Sequence, residues 1–240
     1  MSDRDIDDML RDAAGAKHDI DPALLDRISK SLGAGLRPVR PLPPSWLLAI
    51  GLVLICAIVA IAGAMRLGAY GIHKLSGVEI ALIFPVLAVL IWLAAVLCVA
   101  EFIPGSRRPL SPWLLLVSGG IALAAVFGLL FHDYATERFV SQGIKCLTAG
   151  LAHAVPAFLA AWLLLRRGVA LNPLAAGLAK GTLAGLAGVT MLELHCPNFE
   201  APHVMVWHIA VMPVSGAAGM LIAWTTRARA GREPGVTSSR

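Results

Sequence analysis

The chain has 240 residues, of which 58% are hydrophobic and only 15% charged, with a formal net charge of +5. A soluble domain of this size carries about 25% charged residues and no apolar runs of 20, so soluble enzymes and readers of nucleic acid are excluded and a membrane protein is expected. The basic excess does not indicate a nucleic-acid partner, because Arg and Lys cluster beside apolar runs, where such residues set topology.

Residues 1–45 form a polar cytoplasmic segment that ends in a proline-rich linker. Asp3, Asp5, Asp7, Asp8 and Asp12 crowd its start, and Pro38, Pro41, Pro43 and Pro44 stiffen its end. The acidic start and the late first apolar run argue against a signal peptide. Ile6, Met9, Leu10 and Ala13 recur at helical spacing and predict a short amphipathic helix. Asp21-Pro22 is a cap followed by a first-turn proline, and Leu24, Leu25, Ile28 and Leu32 then share one face of a second helix until Gly33. About 30 residues cannot bury both stripes on each other with useful stability, so these apolar faces require a partner.

Six apolar spans follow, at about 46–65, 78–100, 113–131, 146–165, 174–194 and 204–224. Each supplies about the 20 residues that a helix needs to cross the hydrocarbon core. Residues 46–225 are therefore an all-α, six-helix transmembrane domain, and 226–240 a cytoplasmic tail. The fifth span carries Gly177, Gly181, Gly185 and Gly188, a ridge of small residues that lets a neighbouring helix approach closely. Pro85, Pro156 and Pro213 lie within spans, and Lys180 is expected to reach towards the cytoplasmic interface.

With both termini cytoplasmic, Arg27, Lys30, Arg37, Arg40, Arg107, Arg108, Arg166, Arg167, Arg227, Arg229, Arg232 and Arg240 share the inner side. Only Arg66, Lys74, Arg138 and Lys145 fall on the other. The positive-inside rule thus orients the chain with both termini on the cytoplasmic side of the membrane.

This topology places Cys146, near the start of the fourth span, and Cys196, after the fifth, on the same outer side. If the organism is bacterial, that side is the oxidising periplasm, where two nearby thiols can form a disulfide. Cys56 and Cys98 sit within spans and read as apolar packing. Six of the seven histidines map to the outer half, and His153, His195 and His203 are the candidates to join the thiols around a thiophilic ion such as zinc, copper or cadmium.

No resident cofactor is expected, such an ion entering as a signal. Enzyme activity is not expected either: there is no P-loop, nucleophile elbow or HExxH helix, and the acids Glu79, Glu101 and Glu193 stand at span ends. A metal-ion transporter using the outer His and Cys residues is the alternative, but it needs ligands that continue through the bilayer. A thiol oxidoreductase would prefer a CxxC motif, which is absent.

The run Gly143-Ile144-Lys145-Cys146-Leu147-Thr148-Ala149-Gly150-Leu151, then Leu164-Leu165-Arg166-Arg167-Gly168, then His195-Cys196-Pro197 resembles the NrsF family over most of residues 40–225. That family consists of six-helix inner-membrane anti-sigma factors. The resemblance implies that Cys146 and Cys196 are paired periplasmic cysteines that sense oxidative or metal stress. It also implies that the N-terminal segment sequesters an extracytoplasmic-function (ECF) sigma factor, the partner that Ile6, Met9, Leu10, Leu24, Leu25, Ile28 and Leu32 require. Besides that partner the protein would meet the lipid bilayer, and no nucleic acid directly.

Overall fold

A computed structural model describes Asp8, residues 21–35 and residues 42–230. The first expected amphipathic helix, with Ile6, Met9 and Leu10, lies outside these residues, as do the end of the tail and the side chain of Leu32. The chain divides into two units, Met1–Pro41 and Leu42–Arg240, the division falling within the proline-rich linker.

In the first unit, α1 spans Pro22–Gly35. Asp21 opens it as the spacing predicts, its Oδ1 accepting the Ala23 N–H at 2.9 Å while Pro22, which has no N–H to satisfy, takes the first helical position. The helix runs two residues past the expected stop at Gly33. Leu24, Leu25 and Ile28 are exposed together on it.

The second unit is all-helical, with no strand among its described residues. Six of its helical stretches are long and apolar enough to cross a bilayer. They are α2 (Ser45–Leu67), α3 (Gly77–Phe102), α4 (Pro112–Leu130), α5 (Phe139–Leu165), α6 (Pro173–His195) and a last composite helix. The composite consists of α7 (Ala201–His203), a π-helical turn (Val204–His208) and α8 (Ile209–Ala230). Ser76, Ser111 and Asn172 cap α3, α4 and α6, accepting the backbone N–H of Glu79, Leu114 and Ala175 respectively. Glu79 returns the bond to the Ser76 N–H, completing a capping box.

Helix α5 begins at Phe139, two turns before the expected span. Hydropathy falls across Ser141, Gln142 and Lys145, but nothing there breaks the backbone hydrogen-bond ladder. Phe139 also packs against Trp207 of the last helix, with ring centroids 5.5 Å apart. Cys146 is therefore two turns inside its helix rather than at its start.

Helix α6 is the axis of the bundle. Its central window is 83% buried, against 22–50% for the other five spans. Lipid tails are as apolar as Leu, so helices in a membrane gain by close packing rather than by leaving water, and the helix richest in small residues gains most. A Cβ on Gly177 would strike the Gly219 carbonyl, one on Gly181 the Ser215 carbonyl, and one on Gly185 would come within 2.7 Å of Met212 Cα. These three glycines thus seat α8 against α6. Gly188 turns instead towards the Gly150 carbonyl of α5. Lys180, further back on α6, sets its Nζ 4.8 Å above the Phe102 ring and 5.4 Å from that of Phe158.

Candidate thiol and imidazole site

The C-terminal end of α6 is built into the bundle from three sides. The Cys196 N–H donates to the Leu192 carbonyl and closes the helix, after which Pro197 prevents its continuation. From the loop between α2 and α3, the N–H groups of Gly71 and Ile72 donate to the His195 and Leu194 carbonyls, each at 3.2 Å. A side chain on Gly71 would strike the carbonyls of Glu193 and Cys196, so only glycine lets this loop lie so close. From α5, Gln142 Oε1 accepts the Asn198 side-chain amide at 2.6 Å, and from the loop after α4 the Asp133 carbonyl accepts the Ala201 N–H. The short segment from Cys196 to Glu200 is therefore fixed in place.

This framework brings Cys146 and Cys196, fifty residues apart, to an Sγ to Sγ separation of 3.4 Å. Both remain thiols. Cys196 Sγ also lies 3.6 Å from His203 Nε2. The His203 and His208 rings meet edge to face, centroids 5.2 Å apart, and both are fully buried. One ligand atom from each of Cys146, Cys196, His203 and His208 falls within 4.8 Å of every other.

The π-helical turn is what admits the second histidine. In an α-helix, residues five apart point about 140° from each other, so His203 and His208 would face different neighbours. The wider turn over Val204–His208 brings His208 back towards the face of His203, and π turns of this kind recur at functional sites.

Glu193, in the last turn of α6 and fully buried, accepts a hydrogen bond from His208 Nδ1 at 2.7 Å. A neutral imidazole that donates through Nδ1 keeps its lone pair on Nε2. That Nε2 is buried with no hydrogen-bond partner among the described residues. The hydrogen bond with Cys146 and burial both push the Cys196 thiol above its ordinary range, while His203 and His208 pull it down. An open cleft of about 780 Å³ leads to the two sulfurs, with Lys74, Glu137, Arg138 and Lys145 on its walls.

The expected histidines divide. His203 joins the thiols. His153 donates through Nδ1 to the Ala149 carbonyl one turn earlier at 2.8 Å and lies against Gly63 of α2. His195 donates to the Gly68 carbonyl at 2.7 Å, pinning the α2–α3 loop. These two are held by backbone acceptors and stand apart from the cluster. His208 and Glu193 were not among the expected site residues; His208 lies five residues after His203, an interval that matches no α-helical face, and Glu193 reaches the site only through its bond to His208. Leu24, Leu25 and Ile28 belong to the other unit, on α1.

Residues 32–226 match the model of the family described as NrsF, negative regulator of sigma F. A relative in Azospira oryzae named probable anti-sigma-F factor NrsF is 33% identical over 69 residues, covering 29% of this chain and 32% of the relative, so the alignment spans about a third of that protein's length. No solved structure matches.

Proposed function

The chain belongs to the NrsF family of negative regulators of sigma F, and from this membership we propose that it is a membrane-anchored anti-sigma factor. The family match over residues 32–226 carries the reading. Residues 1 to about 35 bind an ECF sigma factor and keep it from RNA polymerase, and both termini lie in the cytoplasm of a bacterial inner membrane. The N-terminal assignment is supported by amphipathicity, since most of its anchors precede the matched region. Leu24, Leu25 and Ile28 present a helical apolar stripe of the kind that docks into a hydrophobic groove.

The signal enters at Cys146 and Cys196. Oxidants or thiophilic metals reach the sulfurs through the cleft, and the chemistry there biases two packings of α5, α6 and the last helix that differ in affinity for the sigma factor. The 3.4 Å approach of the two thiols supports this assignment. The metal-transporter alternative has less support, because the thiols and imidazoles that converge do so at one end of the bundle, and Cys56 donates instead to the Leu183 carbonyl.

The test is capture of the sigma factor by the full-length chain in detergent or nanodiscs. Losing one buried Leu or Ile anchor commonly costs about 2 kcal/mol or more, about thirtyfold in affinity. The Leu24→Asp, Ile28→Asp double variant should therefore release the sigma factor and switch its regulon on. Unchanged capture and repression at equal protein level would refute the assignment.

A further inference from the structure

We propose that Cys146, Cys196, His203 and His208 form one tetrahedral site for a thiophilic divalent d10 cation, zinc or cadmium, in which Glu193 positions His208. The inference deepens the reading of the cysteine pair as the signal acceptor by naming two further ligands and the class of ion.

Four observations carry it. The donor set is two sulfurs and two imidazole nitrogens, the combination that selects zinc-like ions in tetrahedral geometry. The separations suit it: metal bonds of about 2.3 Å to sulfur and 2.0–2.1 Å to nitrogen imply tetrahedral edges of roughly 3.3–3.8 Å, and the pair distances are 3.4 Å between sulfurs and 3.6 Å from Cys196 to His203. The greatest separation, no more than 4.8 Å, asks for side-chain adjustments of order 1 Å.

The third observation is the unsatisfied His208 Nε2. A buried polar atom without a partner is destabilising; here it coincides with a ring whose other nitrogen is held by a carboxylate, the carboxylate–histidine–metal arrangement that orients ligating imidazoles. A disulfide would use two of the four groups and leave this atom unsatisfied. The fourth is access. The cleft opens onto both sulfurs, giving an ion a path and the displaced protons an exit.

The binding step balances without redox chemistry. Two metal–sulfur bonds form as two thiol protons leave, while the imidazoles donate lone pairs and His208 keeps its Nδ1 proton, hydrogen-bonded to Glu193. The dipositive ion is thus neutralised by two thiolates inside the bundle, where an uncompensated charge would be costly.

The experiment uses the reduced full-length protein, titrated with zinc(II), and with cadmium(II) for its ultraviolet thiolate charge-transfer band. One ion per chain is expected, and X-ray absorption of the zinc-loaded wild type should show two sulfur and two nitrogen ligands. His208→Gln and His203→Gln should each weaken binding at least tenfold. Glu193→Gln should weaken it 10- to 100-fold, as loss of a ligand-orienting carboxylate does, and His153→Gln should leave it unchanged.

Absence of bound zinc in the wild type, a shell with fewer than two sulfurs, or histidine variants that bind like the wild type would each overturn the site. The spectroscopic result on the unaltered chain guards against variants that merely misfold. Because the readout is metal binding, a chain that holds zinc yet captures no sigma factor would refute the anti-sigma reading and leave the site standing.

Discussion

Replacing Gly181 or Gly185 by Ala tests whether the α6–α8 contact holds the bundle together. In isolation a helical Gly→Ala change favours the helix by about 0.8–1.0 kcal/mol. The neighbours reverse the sign. A Cβ on Gly185 would stand 2.7 Å from Met212 Cα, about 0.7 Å short of the 3.4 Å at which ordinary contact begins, and one on Gly181 would meet the Ser215 carbonyl and, at 2.8 Å, Gly216 Cα. These are backbone atoms, so the whole of α8 must retreat. A gap of 0.5–1 Å forfeits a quarter to a half of each dispersion contact along the seam. Overpacking of this kind costs about 1–3 kcal/mol, so after the propensity gain each variant should lose a net of up to about 2 kcal/mol.

Gly51→Ala and Gly120→Ala are the controls. Their added methyls would meet only Leu164 Cδ2 at 3.5 Å and Met212 Cε at 3.6 Å, and both should be neutral or slightly stabilising. Reversible unfolding in mixed micelles by SDS titration measures all four. The Gly181 and Gly185 double variant should lose less than the sum of the two, since one retreat of α8 relieves both clashes. If Gly181→Ala and Gly185→Ala match the controls, the close-packed seam is not what stabilises the fold.

Two further outcomes are expected. Topology reporters fused within residues 132–138 or 197–200 should read as periplasmic, and those after Arg227 as cytoplasmic; cytoplasmic activity at either loop would overturn the orientation. Cys146→Ser, Cys196→Ser and the double variant should share one induction phenotype, because a bridge or a two-thiolate site is lost with either sulfur and such effects do not add; single variants that respond normally would make the cysteines structural.

Much of the architecture is local and so was legible beforehand. Span number follows from runs of apolar residues, because a helix that satisfies its own backbone can be recognised without knowing its neighbours. The Asp21-Pro22 start of α1 and the glycine ridge of α6 are of this kind. The start of α5 was missed because hydropathy reports contact with lipid, whereas Phe139 to Lys145 is helical for its hydrogen bonds and for the contact of Phe139 with Trp207.

The site divides along the same line. The shared outer placement of Cys146 and Cys196 followed from topology, but their 3.4 Å approach required the Gln142 to Asn198 bond and the glycine-to-backbone packing of α6 against α5. His153 and His195 carry the same imidazole as His203, and only tertiary structure shows that carbonyls of Ala149 and Gly68 occupy them. His208 was invisible to any helical pattern, since it reaches the cluster through a π turn whose stability depends on the groups around it rather than on its own sequence. Chemistry and side of the membrane are properties of residue type and order along the chain; convergence on one point is a property of packing.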